Sequence, residues 1–205
     1  MVTADLRAFV RANLPDPPAR VLEVGAGKGE LARALRSAGY DVLAIDPASE
    51  NDGVRAVALA DLEEPPGSFA AAVAVVSLHH IEPLDESCRR LGELVAPGGT
   101  LIVDEFDVAA FDVGAAEWWL EQRRALGEPQ EKTAEELVEE HLHHLHPLAQ
   151  VIAALEPHFE LGPPVRGAWL HRWNLGDSFR AVEAEAIARG DLRATGARLV
   201  GYRRS

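Results

Sequence analysis

Short apolar runs alternate with helical spacing of apolar residues through the first half of this chain. The runs have the length and composition of strands, most of them buried on both faces, and lie at residues 21–24, 40–46, 55–59, 69–76 and 100–104. Apolar residues recur at helical spacing from Leu31 until Gly39 stops the helix, and again from Leu84 to Val95. This alternation predicts an α/β fold with a mostly parallel sheet.

The two ends of the chain carry patterns of their own. A helix is predicted over residues 3–14, with Thr3 as its N-cap. Three further elements are predicted towards the end: a helix opened by Pro147, a strand around residues 168–173, and a helix to Arg189 capped by Asp177 or Ser178. A final strand at residues 197–203 is expected to pair antiparallel with the strand before it.

Composition narrows the range of partners. The chain has 205 residues, of which 47% are apolar, and this suits one α/β domain with a modest insertion. Its net charge of −13 argues against a nucleic-acid partner and against anionic membranes. The N-terminal residues show neither a signal peptide nor a transmembrane run, so a cytoplasmic location is expected. A monomer or homodimer is expected as well. The single cysteine, Cys88, falls on an inner helix face and is expected in the core.

Three glycines at alternate positions connect the first predicted strand to its helix. They are Gly25, Gly27 and Gly29, and Glu23 lies two residues before the first of them. Glycines let the backbone turn tightly and approach a ligand, and the helix N-terminus adds unpaired N–H groups. A dinucleotide fingerprint would have its third glycine at position 30, where this chain has Glu30. The pattern E-x-G-x-G-x-G instead resembles motif I of the class I S-adenosylmethionine-dependent methyltransferases.

Further residues extend this resemblance to a cofactor site. Asp46, at the tip of the second strand, can accept both ribose hydroxyls of an adenosine, or it only caps the next turn. The resemblance implies that Glu23 lies near the cationic methionine end of the cofactor, that Asp61 accepts the adenine amine and that Leu62 packs on the ring. An ordinary polar loop is the alternative for Asp61 and Leu62. Residues 77–81 resemble the segment that follows the fourth strand in small-molecule methyltransferases and lines the crevice where methyl donor and acceptor meet. The predicted cofactor site comprises Glu23, Gly25, Ala26, Gly27, Gly29, Asp46, Pro47, Asp61, Leu62, Ser77 and Leu78.

The resemblance covers residues 20–104 through motifs and residues 147–203 through topology. It implies a Rossmann-like, seven-stranded, mostly parallel sheet with an antiparallel last strand, helices on both faces and a helical lid insertion. The expected single domain, residues 1–205, has four parts: a leading helix at 1–19, a cofactor-binding core at 20–104, the lid insertion at 105–146 and the C-terminal part of the sheet at 147–205.

Residues 105–146 depart from the minimal fold. A predicted helix at residues 134–146 begins with a capping box made by Thr133 and Glu136. Residues 107–140 hold ten carboxylates against three basic side chains. We expect a lid over the active-site mouth that supplies acceptor specificity, with a solvated helical pair as the alternative.

Four histidines are candidate catalytic bases, because imidazole titrates near neutral pH. His79 and His80 come first since they lie at the crevice, and His144 and His171 come second; alternatively, these side chains only hydrogen-bond the lid. The histidine-rich residues 141–146 could hold zinc or iron, but they lack the H-E-x-x-H pattern, and no metal site is predicted.

Together these features predict methyl transfer from S-adenosylmethionine to a small-molecule acceptor by direct in-line displacement. The sulfonium already activates the methyl group, so no covalent residue is needed. The first alternative is a catalytically inactive S-adenosylmethionine-binding regulatory or partner protein. The second is a nicotinamide-dependent oxidoreductase, which the glycine spacing disfavours.

Overall fold

The computed structural model describes residues 2–205; Met1, in the predicted leading segment, lies outside them. The described helices are α1 (Ala4–Asn13), α2 (Glu30–Ser37), α3 (Leu84–Leu94), α4 (Val113–Ala125), α5 (Ala134–His144), α6 (Leu148–Leu155) and α7 (Arg180–Arg189). The described strands are β1 (Arg20–Val24), β2 (Asp41–Ile45), β3 (Phe69–Val75), β4 (Val95–Phe106), β5 (Phe159–Leu161), β6 (Val165–Gly167) and β7 (Gly196–Arg203).

The strands form one sheet in the order β2-β1-β3-β4-β7-β5, and β6 pairs with β7. β1 lies parallel to both β2 and β3, and β3 lies parallel to β4. β5 and β7 pair antiparallel. The predicted Rossmann-like, mostly parallel sheet with an antiparallel last strand is therefore confirmed. The carboxyl ends of β1, β2 and β3 meet at one edge of this sheet, where open α/β folds bind ligands.

Local sequence signals account for several of these elements. Residues 21–24 of β1 are buried, as expected for a strand covered on both faces. Thr3 caps α1, with its hydroxyl oxygen accepting the Leu6 N–H at 3.1 Å. The predicted capping box of Thr133 and Glu136 begins α5.

The predicted strand at residues 55–59 is wrong. Only Arg55 pairs with β2, in a single parallel bridge to Ile45, and its N–H donates to the Ala44 carbonyl at 2.8 Å. The chain then turns, because the N–H of Val57 donates back to the Arg55 carbonyl at 2.9 Å. Alternation of apolar residues reports burial and not backbone pairing, so the pattern could not distinguish this irregular segment from a strand.

The predicted strand around residues 168–173 is also wrong. β6 ends before it, and a short 3₁₀ turn at Leu170–Arg172 takes its place. The N–H groups of this segment donate to the carboxylate of Glu183, not to a neighbouring strand. β7 pairs antiparallel with β5 and also pairs with β6.

Two predicted boundaries differ as well. Neither Asp177 nor Ser178 caps α7, because both belong to a 3₁₀ turn and the residue before the helix is Phe179, which makes no side-chain cap. β4 begins at Val95, before the predicted strand at residues 100–104, and its register with β3 shifts between Val95 and Thr100.

The chain divides into two compact units. The first contains the residues up to Glu105, together with Ala149–Pro164 and Arg198–Ser205. The second contains Phe106–Leu148 and Val165–Ala197. Aliphatic side chains fill the core beneath α1 and α2 in the first unit, whereas the core of the second is rich in aromatic rings, among them Phe106, Phe111 and Trp119. None of the helices within residues 2–205 is both long enough and apolar enough to cross a bilayer.

Candidate cofactor site

The loop between β1 and α2 requires glycine for two separate reasons. Gly25, Gly27 and Gly29 have φ angles of +69°, +51° and +68°, in the left-handed region that side chains disfavour. A Cβ at Gly25 would lie 2.3 Å from the Cβ of Ser77. One at Gly29 would lie 2.8 Å from Cγ2 of Val54, whereas no described atom lies within 4 Å of a Cβ built at Gly27. The loop is packed tightly at both ends and open at its middle glycine.

Asp46, directly after β2, holds this loop through its carboxylate. Its Oδ2 accepts the Gly27 N–H at 2.9 Å, and its Oδ1 accepts the Ala48 N–H at 2.9 Å. The Ser49 hydroxyl adds a bond to the Gly27 carbonyl at 2.8 Å. Since a carboxylate oxygen has two lone pairs, each oxygen of Asp46 keeps one acceptor position for a ligand hydroxyl.

A cavity of about 370 Å³ lies at the carboxyl ends of β1, β2 and β3. Val24, Ile45 and Val76 bring the three strand ends to its wall, and Pro47 and residues 57–59 complete another side. Its volume falls within the roughly 300–1,000 Å³ range of small-molecule and cofactor pockets.

The polar groups on the cavity wall include carboxylates. Asp46 and Glu82 both line it, and no lysine or arginine is among the described lining residues. His80 contributes an imidazole. Ser77 also lines the cavity, and its hydroxyl oxygen is buried without a hydrogen-bond partner within residues 2–205. A ligand that carries positive charge and a polar group for Ser77 would satisfy this wall.

The turn after β3 is strained and firmly held. Val76 has a φ of +51°, which a β-branched residue rarely adopts, and its N–H donates to the Asp104 carbonyl at 2.8 Å. The next two N–H groups, of Ser77 and Leu78, donate to Oε1 of the buried Glu105 at 2.9 and 2.7 Å. Strained backbone that its surroundings hold in place is typical of functional sites.

Comparison with known families decides between the cofactor classes. A family model described as a methyltransferase domain matches residues 2–147, which is more than half of the chain. The chain belongs to the methyltransferase-domain family. The class I methyltransferase resemblance is thereby confirmed.

Individual methyltransferases are similar over part or all of the chain. A ubiquinone biosynthesis O-methyltransferase of Xanthomonas campestris is 36% identical over 110 residues, which cover 46% of this chain and 46% of that protein. An uncharacterized methyltransferase of Mycobacterium bovis is 37% identical over 111 residues, covering 48% and 56%. The chain thus spans about half the length of these relatives. The solved structure of an S-adenosylmethionine-dependent methyltransferase from Mesorhizobium loti superimposes on this chain over 98% of both chains, with a TM-score of 0.64 and 16% sequence identity. This similarity is one of fold.

S-adenosylmethionine is the cofactor that membership of the methyltransferase family implies, and the described residues fit it. The glycine loop meets the cavity at Gly25, which lines its wall and packs against Ser77. The remaining acceptor positions of Asp46 suit ribose hydroxyls, and the Ser77 hydroxyl needs a partner. The carboxylates on the wall suit a cationic ligand.

The structure brings only part of the predicted methyltransferase site to the cavity. The predicted cofactor residues on its wall are Gly25, Asp46, Pro47 and Ser77. Ala26, Gly27 and Gly29 belong to the adjoining loop, where the Ala26 N–H donates to the Ile45 carbonyl at 2.9 Å. Leu78 is fully buried in the core.

Glu23 does not line the cavity. Its side chain is almost fully buried, one carboxylate oxygen accepts the Ala32 N–H in the first turn of α2, and Oε2 has no partner within the described residues. Burial raises the pKa of Glu23 to about 7, against the lowering effects of the Ala32 hydrogen bond and of Arg36 and Arg33. Its role near the methionine end of the cofactor stays a prediction.

Asp61 and Leu62 also lie off the cavity wall. Asp61 is exposed, and Leu62 is buried in the core. Both belong to turns, with their N–H groups donating to the carbonyls of Ala58 and Leu59 at 3.2 and 3.3 Å. Residues 57–59 form the wall at this point. Adenine recognition by Asp61 and Leu62 stays a prediction.

His80 is the one member of the four candidate histidines that lines the cavity. His79 is buried, and its Nδ1 pairs with Oε2 of Glu105. His144 is exposed on α5 and His171 is buried, both within the second unit. In the part of the chain that the structure describes, no three His, Cys, Asp or Glu side chains are grouped so that they could hold a metal ion.

Glu105 is a site residue that sequence reasoning missed. The sequence places it only at the start of the predicted lid insertion, although it directly follows the apolar strand at residues 100–104. An acid at the carboxyl end of a parallel strand is a usable signal. Its bonding partners, however, lie 26–28 residues earlier in the chain, and no local pattern identifies them.

Proposed function

We propose that this chain transfers a methyl group from S-adenosylmethionine to a small-molecule acceptor by direct in-line displacement. The observation that carries the proposal is the cavity at the strand ends, with its glycine loop and the Asp46 carboxylate, in a chain of the methyltransferase family. The cofactor, when bound, supplies a methyl group already activated by its sulfonium. The protein therefore has to bind, align and exclude water.

The residues of the cavity divide this work. Asp46 would hold ribose hydroxyls through its two remaining acceptor positions, and Gly25, which packs against Ser77, lies on the same wall of the cavity. The carboxylates of Asp46 and Glu82 favour a cationic cofactor over a neutral one by charge attraction. His80, on the same wall, is the group best placed to take a proton at a ring nitrogen from an acceptor hydroxyl.

The acceptor is proposed to be a small molecule that carries a hydroxyl group. The similarity to an O-methyltransferase over about half of the chain supports this choice. The net charge of −13 disfavours a polyanionic acceptor such as nucleic acid. Acceptor selection by residues 105–146, as a lid, and a cytoplasmic location both stay predictions.

Calorimetric titration with S-adenosylhomocysteine tests the cofactor part of the proposal, with NAD as the matched alternative ligand. We expect the wild type to bind S-adenosylhomocysteine and not NAD. Asp46→Ala should lower the affinity about 10- to 100-fold, because hydrogen bonds to a charged group are worth about 1.5–3 kcal/mol. Unchanged affinity in Asp46→Ala would remove this residue from the site.

Methyl transfer is tested next, with a labelled methyl donor and a panel of phenolic and aliphatic alcohols. Labelled product from a hydroxyl acceptor, lost in His80→Gln at a cofactor concentration that saturates the variant, would support both the reaction and the role of His80. Binding without transfer to any acceptor class would favour the inactive cofactor-binding protein. Binding of neither ligand would contradict the proposal.

A further inference from the structure

A single buried carboxylate fixes the turn that forms one wall of the cavity. Oε1 of Glu105 accepts the N–H groups of Ser77 and Leu78 at 2.9 and 2.7 Å, and Oε2 pairs with Nδ1 of His79. The side chain of Glu105 is 1% exposed and that of His79 is 3% exposed. All four residues belong to the first unit. Glu105 thus replaces water for three polar groups at once.

The turn held by Glu105 brings two polar residues to the cavity wall. One is Ser77, whose buried hydroxyl oxygen has no hydrogen-bond partner among the described residues. The other is His80, whose ring centroid lies 4.2 Å from that of His79. The turn also follows Val76, whose left-handed backbone has to be stabilised by its surroundings. The positions of Ser77 and His80 therefore depend on the anchoring of their neighbours.

We propose that Glu105 is a positioning residue of the cofactor site. Through its backbone bonds it places Ser77, and through the ring of His79 it orients His80 on the cavity wall. The inference rests on the proposed function, because it assigns Glu105 to that same site.

The carboxylate matters for a specific chemical reason. A carboxylate only accepts hydrogen bonds, so Nδ1 of His79 has to be the donor. When the ring is neutral, its other nitrogen, Nε2, then carries no proton. In Glu105→Gln, one amide oxygen can still accept the backbone N–H groups, but the amide nitrogen faces Nδ1 as a donor. The neutral ring of His79 then has to carry its proton on Nε2 or lose its bond to residue 105. The variant changes the tautomer and orientation of His79 while the size of residue 105 is conserved.

The chain offers a matched control in its second unit. Glu183 is also fully buried and accepts the N–H groups of Trp169 and Leu170, at 2.6 and 2.8 Å. Its other oxygen accepts both the N–H and Nδ1 of His171, each at 2.8 Å. In both places a Leu-His pair lies in a 3₁₀ turn. Glu183→Gln therefore perturbs the same kind of bond at residues that do not line the cavity.

Two measurements test the positioning role. Titration with S-adenosylhomocysteine should show at least a tenfold loss of affinity in Glu105→Gln and less than a twofold change in Glu183→Gln. Nitrogen-15 NMR of the ligand-free protein, with the His79 signals assigned by their loss in His79→Leu, should show Nδ1 protonated in the wild type. In Glu105→Gln, the same signals should show that Nε2 of His79, and not Nδ1, carries the proton.

A second variant keeps the inference testable if Glu105→Gln does not fold. His79→Leu leaves Glu105 and its two backbone bonds in place, and we expect it to lower the affinity at least fivefold by changing the orientation of His80. The inference would be overturned, with the proposed function left standing, if the Glu105 or His79 variant bound S-adenosylhomocysteine as tightly as the wild type does. An equal loss of affinity in Glu183→Gln would have the same consequence. A wild type that binds no S-adenosylhomocysteine would overturn the proposed function and this inference with it.

Discussion

The carboxyl group of Glu23 lies almost fully buried between β1 and the first turn of α2. Burial raises its pKa from the ordinary 4.5 to about 7, so the folded state favours the protonated form. A raised pKa contributes stability that is present below pH 4.5 and is lost as the pH rises through 7. Since one pKa unit corresponds to about 1.4 kcal/mol, the free energy of unfolding should fall by about 3 kcal/mol across this range.

Glu23→Gln should remove this dependence, because a neutral amide can still accept the Ala32 N–H. We expect equal stability of variant and wild type at pH 4.5 and a gain of about 3 kcal/mol for the variant at pH 8, by urea unfolding. Glu121→Gln, on an exposed position of α4, is the control and should stay within about 0.5 kcal/mol at both pH values. An equal effect of Glu23→Gln at both pH values would contradict the prediction.

Single residues of the site were predictable where their role depends on neighbours in sequence. Gly25 and Asp46 could be predicted, because a glycine loop and an acid at a strand end have fixed spacings within one β-α-β unit. Glu105 could not, because its three partners follow a different strand and its burial arises only when β3 and β4 pair. Asp61 occupies the position at which the methyltransferase resemblance implies a contact with adenine. It is nevertheless exposed, and residues 57–59 line the cavity instead.

At the scale of elements, α3 shows that a glycine inside a helix can be required for packing. A Cβ at Gly92 would lie 2.7 Å from Cβ of His158 and 2.9 Å from its Cγ. Arg203 holds both sides of this contact through the carbonyls of Gly92 and His158. The neighbouring backbone therefore has little freedom to move away from an added methyl group.

Gly92→Ala should accordingly destabilise the protein by about 1–3 kcal/mol, even though alanine is the better helix former. The matched control is Gly114→Ala in α4, where the nearest atom to the added Cβ is an Asp112 oxygen at 3.4 Å. That exposed position should gain up to about 1 kcal/mol from helix propensity. Opposite signs in urea unfolding are expected, and stabilisation by both substitutions would rule out the packing argument.

The same scale separates elements that patterns can predict from those that they cannot. The strands β1 to β4 and the helices between them follow from apolar periodicity and from glycine and proline boundaries. Residues 55–59 and 168–173 have strand-like composition, but their backbone bonds go to turns and to Glu183. Which partner a backbone N–H finds is decided by tertiary structure, which a one-dimensional pattern does not contain.

At the scale of the whole molecule, the two units are joined by continuous strands. β4 passes from the first unit to the second between Glu105 and Phe106, and β7 passes back between Ala197 and Arg198. Unfolding of either unit would therefore remove part of a strand that the other needs. We expect a single cooperative transition for the described chain.

Aromatic residues allow each unit to be followed separately. The four tryptophans, Trp118, Trp119, Trp169 and Trp173, belong to the second unit, whereas both tyrosines, Tyr40 and Tyr202, belong to the first. Tryptophan fluorescence thus reports the second unit, and fluorine NMR of fluorotyrosine-labelled protein reports the first. The cofactor cavity is lined by residues of the first unit alone.

S-adenosylhomocysteine should raise the midpoint of thermal unfolding by about 5–10 °C at 100 times its dissociation constant, and equally for the tryptophan and the fluorotyrosine signals. The reason is that this excess of ligand adds about 2.7 kcal/mol to the free energy of unfolding of a chain of this size. Asp46→Ala at the same ligand concentration is the control and should show a much smaller rise with both probes. A rise confined to the tyrosine signal would mean that the units unfold independently, so that the second gains nothing from a ligand bound in the first. Coincident rises would instead show that binding energy at the strand ends is shared by the whole chain through β4 and β7.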